Sequence, residues 1–350
     1  MSEDQKGKSQ MHFRALVAVS RALAWTCLLL VLSLFVFLLS ASVGFDRISE
    51  LLKSRVAEEN RDTIRAENKS PTGPWTAPDL SRASELVRYG HKLVSNTAYF
   101  LGPEGTVMKT TNGMNCQNCH LDAGTRYFGN NYSAVASTYP KFRPRSGSIE
   151  TVARRVNDCI QRSLNGKALD TSCTEMNALV AYIEWVGSEV PTRTVPAGAG
   201  LVDVSLLNRA ADPDRGRVAF AKHCVSCHGS DGQGQRQADG FAYVYPPLWG
   251  DHSYNTGAGL YRLSRFAGYV KANMPLGAVH DKPVLSDEEA WDIAAYVNSQ
   301  PRPVKDLSGD WPDISKKPFD HPFGPFSDGF SETQHKYGPF GPIKKAQKKS

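Results

Sequence analysis

Two short motifs contain residue types that can bind a haem. In each motif, two thiols can add to the vinyl groups of one haem as thioethers, and the adjacent histidine can ligate the iron. The motif residues are Cys116, Cys119 and His120 in the first copy and Cys224, Cys227 and His228 in the second. A Cys-x-x-Cys pair also marks zinc sites and redox dithiols, but one shared zinc would leave both histidines unexplained. The two copies therefore predict two covalently attached haem c groups, each with one iron.

The two motifs belong to an internal repeat. Each motif follows a helical pattern and precedes a long loop and a closing helix, predicted at residues 171–187 and 286–299. Ser286 and Glu289 form a capping box that marks the start of the last helix. This order is that of a small class I cytochrome c domain. The predicted fold is therefore all-α, with two class I cytochrome c domains in tandem.

Met274 is the predicted second iron ligand of the second haem. It is followed by Pro275, which is the usual setting of this ligand in class I cytochromes c. A thioether ligand stabilises ferrous iron and raises the reduction potential. Lys271 and His280 lie nearby in the chain and could compete for the iron, and an ordinary buried methionine is the alternative interpretation.

Cys159 takes the corresponding place in the first half. When Tyr182 is matched to Tyr296 in the two closing helices, Cys159 and Met274 fall at the same position to within one residue. A thiolate donates charge to the iron and lowers its potential. The comparison therefore predicts different iron ligands for the two haems.

Other interpretations of the first site remain open. Cys159 could form a disulfide with Cys173 in an oxidising compartment, or it could be a buried free thiol. Met114 and Met176 are then the other candidate ligands for the first haem.

A thiolate needs nearby cations to stay deprotonated. If residues 148–164 form a helix, Arg155, Arg162 and Ser163 fall at i−4, i+3 and i+4 from Cys159 and share its face. Two further arginines precede this helix, Arg143 and Arg145. We predict that these side chains form a cationic catalytic pocket around Cys159, although a charged helix face can also be merely solvated.

Length and charge limit the other classes of function. The 350 residues can form two modest domains with extensions. The formal net charge is only +6, and no block of Lys and Arg with interleaved aromatics is present. A nucleic-acid partner is therefore excluded.

An uncharged apolar stretch at residues 22–45 is long enough to cross a ~30 Å hydrocarbon core. It includes Cys27, and a cleaved signal peptide is the alternative. Four cations precede it, at Lys6, Lys8, Arg14 and Arg21. Their side of the membrane is expected to be cytoplasmic. We predict a single-pass protein of the bacterial inner membrane with its haem domains in the periplasm.

These patterns divide the chain into seven segments. They are a cytoplasmic tail (1–21), a transmembrane anchor (22–45), a polar helical spacer (46–73), cytochrome c domain 1 with the catalytic haem (74–192), a linker (193–211), cytochrome c domain 2 with the electron-transfer haem (212–305) and an extended C-terminal arm (306–350). The arm contains Pro, Phe, Gly and Lys without periodicity, so we predict no regular structure in it.

Three segments resemble the dihaem thiosulfate dehydrogenase family. They are residues 115–124 (NCQNCHLDAG), 154–169 (RRVNDCIQRSLNGKAL) and 270–277 (VKANMPLG), and the similarity continues into residues 330–340. The resemblance implies His120 and Cys159 as ligands of the first haem and His228 and Met274 as ligands of the second. It also implies oxidation of two thiosulfates to tetrathionate. Asn273 departs from members that have a lysine there, which puts a Lys/Met ligand exchange in doubt.

The chemistry of this reaction is compatible with the predicted pocket. Thiosulfate is a dianion, and the planar forks of arginine suit its oxygens. Electrons would enter at the first haem and leave through the second to a periplasmic or membrane acceptor such as a cytochrome c or an oxidase. Two alternatives remain: a membrane-anchored dihaem electron-transfer cytochrome that only relays electrons, and a tetrathionate reductase.

Overall fold

The computed structural model describes residues 72–238 and 240–348. The predicted tail, the anchor at residues 22–45 and nearly all of the spacer lie outside these described residues. Within them, no helix is long and apolar enough to span a bilayer. The longest have 13 residues, or about 20 Å at ~1.5 Å per residue, against a hydrocarbon core of about 30 Å. This finding corrects two predictions. One is the transmembrane helix placed before the two cytochrome c domains, and the other is the single-pass location in the inner membrane.

The first half of the described chain is built mainly from helices. They are α1 (Glu85–Ser95), α2 (Thr97–Leu101), α3 (Leu121–Gly124), α4 (Val135–Thr138), α5 (Val152–Arg162) and α6 (Thr174–Val186). Buried apolar residues of α1 and α6, such as Leu93 and Leu179, form the centre of the first core.

The second half repeats this plan and adds a helical C-terminus. Its helices are α7 (Pro213–His223), α8 (Val225–His228), α9 (Leu263–Asn273), α10 (Asp287–Ser299), α11 (Glu332–Tyr337) and α12 (Gly341–Gln347). Short 3-10 turns occur in both halves, at Leu80–Arg82, Cys116–Asn118, Gly259–Tyr261 and Ile314–Lys316. Trp291 and Ile293 of α10 lie in the second core.

Six short strands of the described chain form three two-stranded pairs. They are β1 (Thr72–Pro74), β2 (Lys141–Arg143), β3 (Ser148–Glu150), β4 (Pro196–Ala197), β5 (Gln235–Arg236) and β6 (Tyr243–Tyr245). β1 and β4 are parallel, whereas β2–β3 and β5–β6 are antiparallel.

The opening and closing helices of each half cross at a glycine. A Cβ atom at Gly90 of α1 would lie 2.6 Å from Tyr182 Cβ of α6, and one at Gly216 of α7 would lie 2.8 Å from Tyr296 Cβ of α10. Both distances are too short for a larger residue, because packed interiors leave no room for an added methyl group. The same close crossing in both halves confirms the internal repeat, with Tyr182 and Tyr296 in equivalent places.

Helix boundaries follow the capping residues. Ser286 accepts from Glu289 N at 3.1 Å, and Glu289 Oε2 accepts from Ser286 N at 2.9 Å, so the predicted capping box is confirmed. The helix predicted over residues 148–164 starts later than expected. Thr151 caps α5 at its N-terminus, because Ser148–Glu150 pairs with Lys141–Arg143 as a β-hairpin instead.

The C-terminal arm is more ordered than its sequence suggests. It ends in α11 and α12, and Phe340 and Ile343 are buried in the second core. Asp320 of the arm is also buried, and it accepts hydrogen bonds from Arg262 Nε at 2.9 Å and Ser264 Oγ at 2.6 Å. The arm was predicted as extended and without regular structure. It instead ends in two short helices, and its apolar side chains complete the second core.

The two cores are not separated at the linker. Tyr254 and Ala258 of the second half belong to the first core, and Leu121 of the first half packs against the second. Tyr269 Oη donates to Asn118 O at 2.7 Å between the halves. The two halves therefore form one compact unit in the described chain.

Removing the Phe340 ring should destabilise the protein. Phe340 is 3% exposed and packs against Trp291 with ring centroids 5.4 Å apart. We expect Phe340→Ala to lower the free energy of unfolding by about 3 kcal/mol, because a buried cavity forms. The matched control is Val304→Ala, since Val304 is 85% exposed and its loss should change stability by less than about 0.5 kcal/mol. If Phe340→Ala and Val304→Ala changed the free energy of unfolding in urea equally, the arm would not support the core.

The Asp320 anchor should make stability depend on pH. Burial alone would raise the pKa of Asp320, but the Arg262 charge and the Ser264 hydrogen bonds outweigh it, so the pKa is lowered. Its contribution is therefore present above the unfolded value of about 3.9 and is lost as the pH falls through the folded value. We expect Asp320→Asn to cost about 3 kcal/mol at pH 6, with a smaller difference from the unmutated protein at pH 3. Urea unfolding at both pH values measures this difference in the free energy of unfolding. A difference as large at pH 3 as at pH 6 would contradict the prediction.

Candidate active site

Asparagine side chains hold the first haem motif in its turn. Asn118 Oδ1 accepts from Asn115 N at 2.7 Å, and Asn115 Oδ1 accepts from Ala98 N at 2.8 Å. Thr97 Oγ1 accepts from Cys116 N at 2.9 Å. These bonds fix the 3-10 turn Cys116–Asn118 against α2, so the motif thiols have a defined position.

His120 is oriented as an iron ligand would be. Its Nδ1 lies 2.5 Å from Asn130 O, and because a carbonyl only accepts, Nδ1 carries the hydrogen and Nε2 keeps its lone pair. Burial lowers the pKa of His120 to about 4, against the opposing effect of the Asn130 carbonyl. The imidazole is therefore neutral at physiological pH, which is the form that binds a metal.

His120 and Cys159 line one cavity of about 190 Å³. Cys116 and Cys119 line it as well, and Cys159 enters from α5. The rest of the wall is largely apolar and includes Val94, Leu101, Val135, Val152, Ile160, Leu179 and Ile183. Burial raises the pKa of Cys116 to about 11 and that of Cys119 to about 12. Both would be uncharged as thiols, as they would be in thioether links to a haem.

Two more of the predicted site residues reach this cavity. Arg155 and Ser163 line it together with Cys159. The negative charge of a Cys159 thiolate raises the pKa of Arg155, against the effect of burial. Tyr139 also lines the cavity, and burial raises its pKa while Arg143 and Arg155 oppose the shift. Arg155 is therefore the guanidinium placed to meet an anion at Cys159.

The other predicted arginines lie around the cavity and not on its wall. Arg143 lies on β2 near Tyr139. Arg145 pairs with Asp158, and burial together with neighbouring guanidiniums lowers the pKa of Arg145 to about 9, which leaves it charged at neutral pH. Arg162 also binds Asp158, through Nε at 2.5 Å.

Asp158 is a central residue that the sequence analysis missed. Its carboxylate accepts from Arg155 Nη1 at 2.6 Å and from Arg162 Nε at 2.5 Å, and it pairs with Arg145. The helical spacing could have revealed it, since Asp158 lies at i+3 from Arg155 and at i−4 from Arg162. Asp310 binds Arg162 through two hydrogen bonds of 2.7 and 2.8 Å, and no local sequence signal indicates this contact.

The second motif lines a separate cavity of about 410 Å³ together with Met274. His228 Nδ1 lies 2.9 Å from Pro246 O, which leaves Nε2 available as in the first motif. Burial lowers the pKa of His228, so its imidazole is neutral. Met274 lies at the end of α9. Cys224 and Cys227 complete the set of haem-binding side chains.

The residues considered as competing ligands point elsewhere. Lys271 Nζ donates to Leu285 O at 2.7 Å and pairs with Asp287 at 2.8 Å. His280 is exposed and lies beside Phe128, with ring centroids 4.9 Å apart. Asn273 Nδ2 donates to Phe128 O at 3.1 Å across the two halves. Met274 lines the second cavity, whereas Lys271 and His280 do not.

The structure does not contain the alternative disulfide between Cys159 and Cys173. Cys159 and Cys173 are both free, and the Cys173 Sγ caps α6 by accepting from Met176 N at 3.4 Å. Met176 is a fully buried core residue, and Met114 lines the second cavity. Each cavity is thus lined by two motif thiols, one oriented imidazole and at least one further sulfur side chain, Cys159 in the first and Met274 and Met114 in the second. This set of side chains fits a haem c.

Two family models match the chain, one in each half. The SoxA/TsdA cytochrome c domain matches residues 106–192, and the cytochrome c domain matches residues 213–301. The two domains confirm the predicted pair of covalently bound haem c groups.

The chain is 38% identical over 231 residues to the thiosulfate dehydrogenase of Allochromatium vinosum, and the match covers 65% of this chain and 82% of that protein. The chain belongs to the thiosulfate dehydrogenase family. It is thus identified as an oxidoreductase, and the predicted resemblance is confirmed.

Two further thiosulfate dehydrogenases support this assignment. That of Psychrobacter arcticus is 42% identical over 204 residues, covering 57% of this chain and 60% of the relative. The solved structure of thiosulfate dehydrogenase (TsdBA) from Marichromatium purpuratum, in its as-isolated form, has a TM-score of 0.60 at 34% identity and covers 65% of this chain. The match spans only 50% of that solved chain.

Replacing Met274 should change the second haem of this thiosulfate dehydrogenase family member. We expect Met274→Ala to lower the reduction potential of one haem, because the thioether that favours ferrous iron is lost. Lys271→Ala is the matched control and should leave both potentials unchanged, since the ammonium pairs with Asp287. Spectroelectrochemical titration measures both potentials. A shift in the control, with none in Met274→Ala, would make Lys271 the ligand.

Proposed function

We propose that this chain joins two thiosulfates into tetrathionate at the first cavity. The observation that supports this most is that Cys159 and Arg155 line the same cavity as Cys116, Cys119 and His120. A protein that only relays electrons needs neither a thiolate nor a cation in that place. The family assignment supports the same reaction.

The reaction balances without a proton. Two thiosulfate dianions lose two electrons in total, a bond forms between their terminal sulfurs, and one tetrathionate dianion results. No general base is therefore required. The described residues that line the first cavity include no carboxylate, and the one imidazole there, that of His120, is held by Asn130. The absence of an acid–base pair in this lining fits the proposed chemistry.

Arg155 is the proposed substrate-binding cation. Each thiosulfate carries two negative charges, so bringing two of them together requires a positive group in a region from which water is largely excluded. The planar guanidinium can bind two oxygens of one sulfonate-like group at once. Asp158 accepts from Arg155 Nη1 at 2.6 Å, so the orientation of Arg155 is fixed before substrate arrives. Ser163, at the end of α5, is a further donor on the same wall.

His120 and Cys159 are proposed as the iron ligands of the first haem, and His228 and Met274 as those of the second. The haems, when bound, would supply one-electron acceptance, at a low potential beside a thiolate and a higher potential beside a thioether. Cys119 lines both cavities, so the two groups would be neighbours. Electrons would then leave from the second site to a cytochrome c, an oxidase or a similar acceptor.

Removing the Cys159 thiolate tests the catalytic assignment. We expect Cys159→Gly to abolish thiosulfate-dependent reduction of the haems while both remain attached and the second can still be reduced by dithionite. Cys173→Ser is the matched control, because it keeps a side-chain acceptor at the N-cap of α6 and should retain the activity. Full activity in Cys159→Gly would refute the thiolate role.

An EPR spectrum of the oxidised protein tests the ligands directly. One low-spin haem should show His/thiolate ligation and the other His/Met ligation, and the first signal should be missing in Cys159→Gly. Two His/Met signals in the unmutated protein would favour a simple electron relay.

A further inference from the structure

Arg162 has almost no hydrogen-bonding capacity left for a substrate. Its Nε donates to Asp158 Oδ1 at 2.5 Å, and its Nη1 and Nη2 donate to Asp310 at 2.8 and 2.7 Å. The side chain is only 11% exposed. A buried guanidinium that binds two carboxylates in this way acts as a bridge between them. Arg162 therefore connects α5 to the C-terminal arm.

The arm carries Asp310 to this place through contacts with the β2–β3 hairpin. Trp311 N donates to Arg145 O at 2.7 Å, and a Cβ atom at Gly147 would lie 2.5 Å from Pro312 Cγ. Further along, Asp320 is buried against Arg262. The segment around Asp310 thus lies between two fixed contacts, one with the hairpin of the first half and one formed by the Asp320–Arg262 ion pair in the second half.

The sharing of Asp158 makes Asp310 important for Arg155. Asp158 Oδ2 accepts a hydrogen bond from Arg155 Nη1 and also forms an ion pair with Arg145, while Oδ1 accepts from Arg162 Nε. Without the Asp310 carboxylate, the buried Nη donors of Arg162 would need another acceptor, because buried donors are rarely left unpaired. Gly257 O accepts from Nη1 at 3.4 Å, but a carbonyl oxygen does not neutralise the guanidinium charge. The carboxylate left to pair with Arg162 is Asp158, and Arg162 would then compete with Arg155 for it.

We infer that Asp310 of the C-terminal arm is a positioning residue of the active site. By binding Arg162, it leaves one oxygen of Asp158 to Arg155, whose guanidinium then faces the cavity beside Cys159. The arm therefore completes the substrate-binding wall without touching the substrate. This inference rests on the proposed function, because it takes Arg155 as the group that binds thiosulfate.

The direction in which KM for thiosulfate changes when Asp310 is neutralised separates a positioning role from two simpler roles. If Asp310 were only a negative charge near the cavity, its neutralisation would strengthen binding of an anion, and KM for thiosulfate would fall. If Asp310 only docked the arm, stability would fall and KM would stay the same. If it positions Arg155, KM rises even though the site has become more positive.

Steady-state kinetics of the dihaem protein with ferricyanide as acceptor can distinguish the three cases. We expect Asp310→Asn to raise KM for thiosulfate about tenfold, the size of one lost charge-assisted hydrogen bond, with kcat changed less than about twofold. Asp310→Glu should restore most of the affinity, because it returns a carboxylate to the arm. Asp313→Asn is the matched control, since Asp313 is an exposed arm residue that binds Ser315 within the arm. It should leave KM unchanged.

An unchanged or lowered KM in Asp310→Asn would overturn the inference, as would a Glu variant no better than the Asn variant. Calorimetric titration of thiosulfate into the fully reduced protein, which cannot oxidise it, gives a second reading that does not require turnover. There, a Kd about tenfold weaker in Asp310→Asn supports the positioning role, and equal Kd values reject it. If the unmutated protein does not oxidise thiosulfate, the proposed function is wrong. The ratio of the Kd for thiosulfate in Asp310→Asn to that in the unmutated protein would still test the role of Asp310.

Discussion

Three guanidinium groups share the single carboxylate of Asp158 in α5. Buried charges are costly unless they are paired and hydrogen-bonded, so the positions of these arginines depend on one another. The hairpin supplies Arg145, α5 supplies Arg155 and Arg162, and each must reach the same anion. As a result, the cavity beside Cys159 has one guanidinium on its wall and keeps the others behind it. The ion pair between Arg145 and Asp158 thus links the hairpin to α5.

The same domain plan is used twice with different chemistry. In both halves, a glycine lets the opening and closing helices cross closely, and a carbonyl oxygen orients the motif histidine. The two cavities differ in a further sulfur side chain on the wall, with Cys159 in the first and Met274 in the second. A thiolate and a thioether move the potential of an iron in opposite directions. If the proposed ligands bind the two irons, one duplicated plan would hold two haems of different potential.

The close contact between the halves has a functional consequence. Residues of the second half fill part of the first core, and Tyr269 hydrogen-bonds to the backbone of Asn118 within the first motif. Cys119 borders both cavities. Because each half supports the walls of the other site, neither cavity is independent of the interface. The C-terminal arm contacts both halves, through Asp310 with Arg162 in the first and through Asp320 with Arg262 in the second.

The sequence by itself determined the features that depend on local spacing. The two haem motifs, the repeat and the capping box at Ser286 could all be found from residue order, since covalent attachment and helical periodicity are local. It did not predict the hairpin, the helices of the arm or the separation of Arg155 from its neighbours. Only the tertiary structure decided these, because the carboxylate of Asp310 reaches the site from a distant part of the chain, and the pairing of buried charges depends on distance in space.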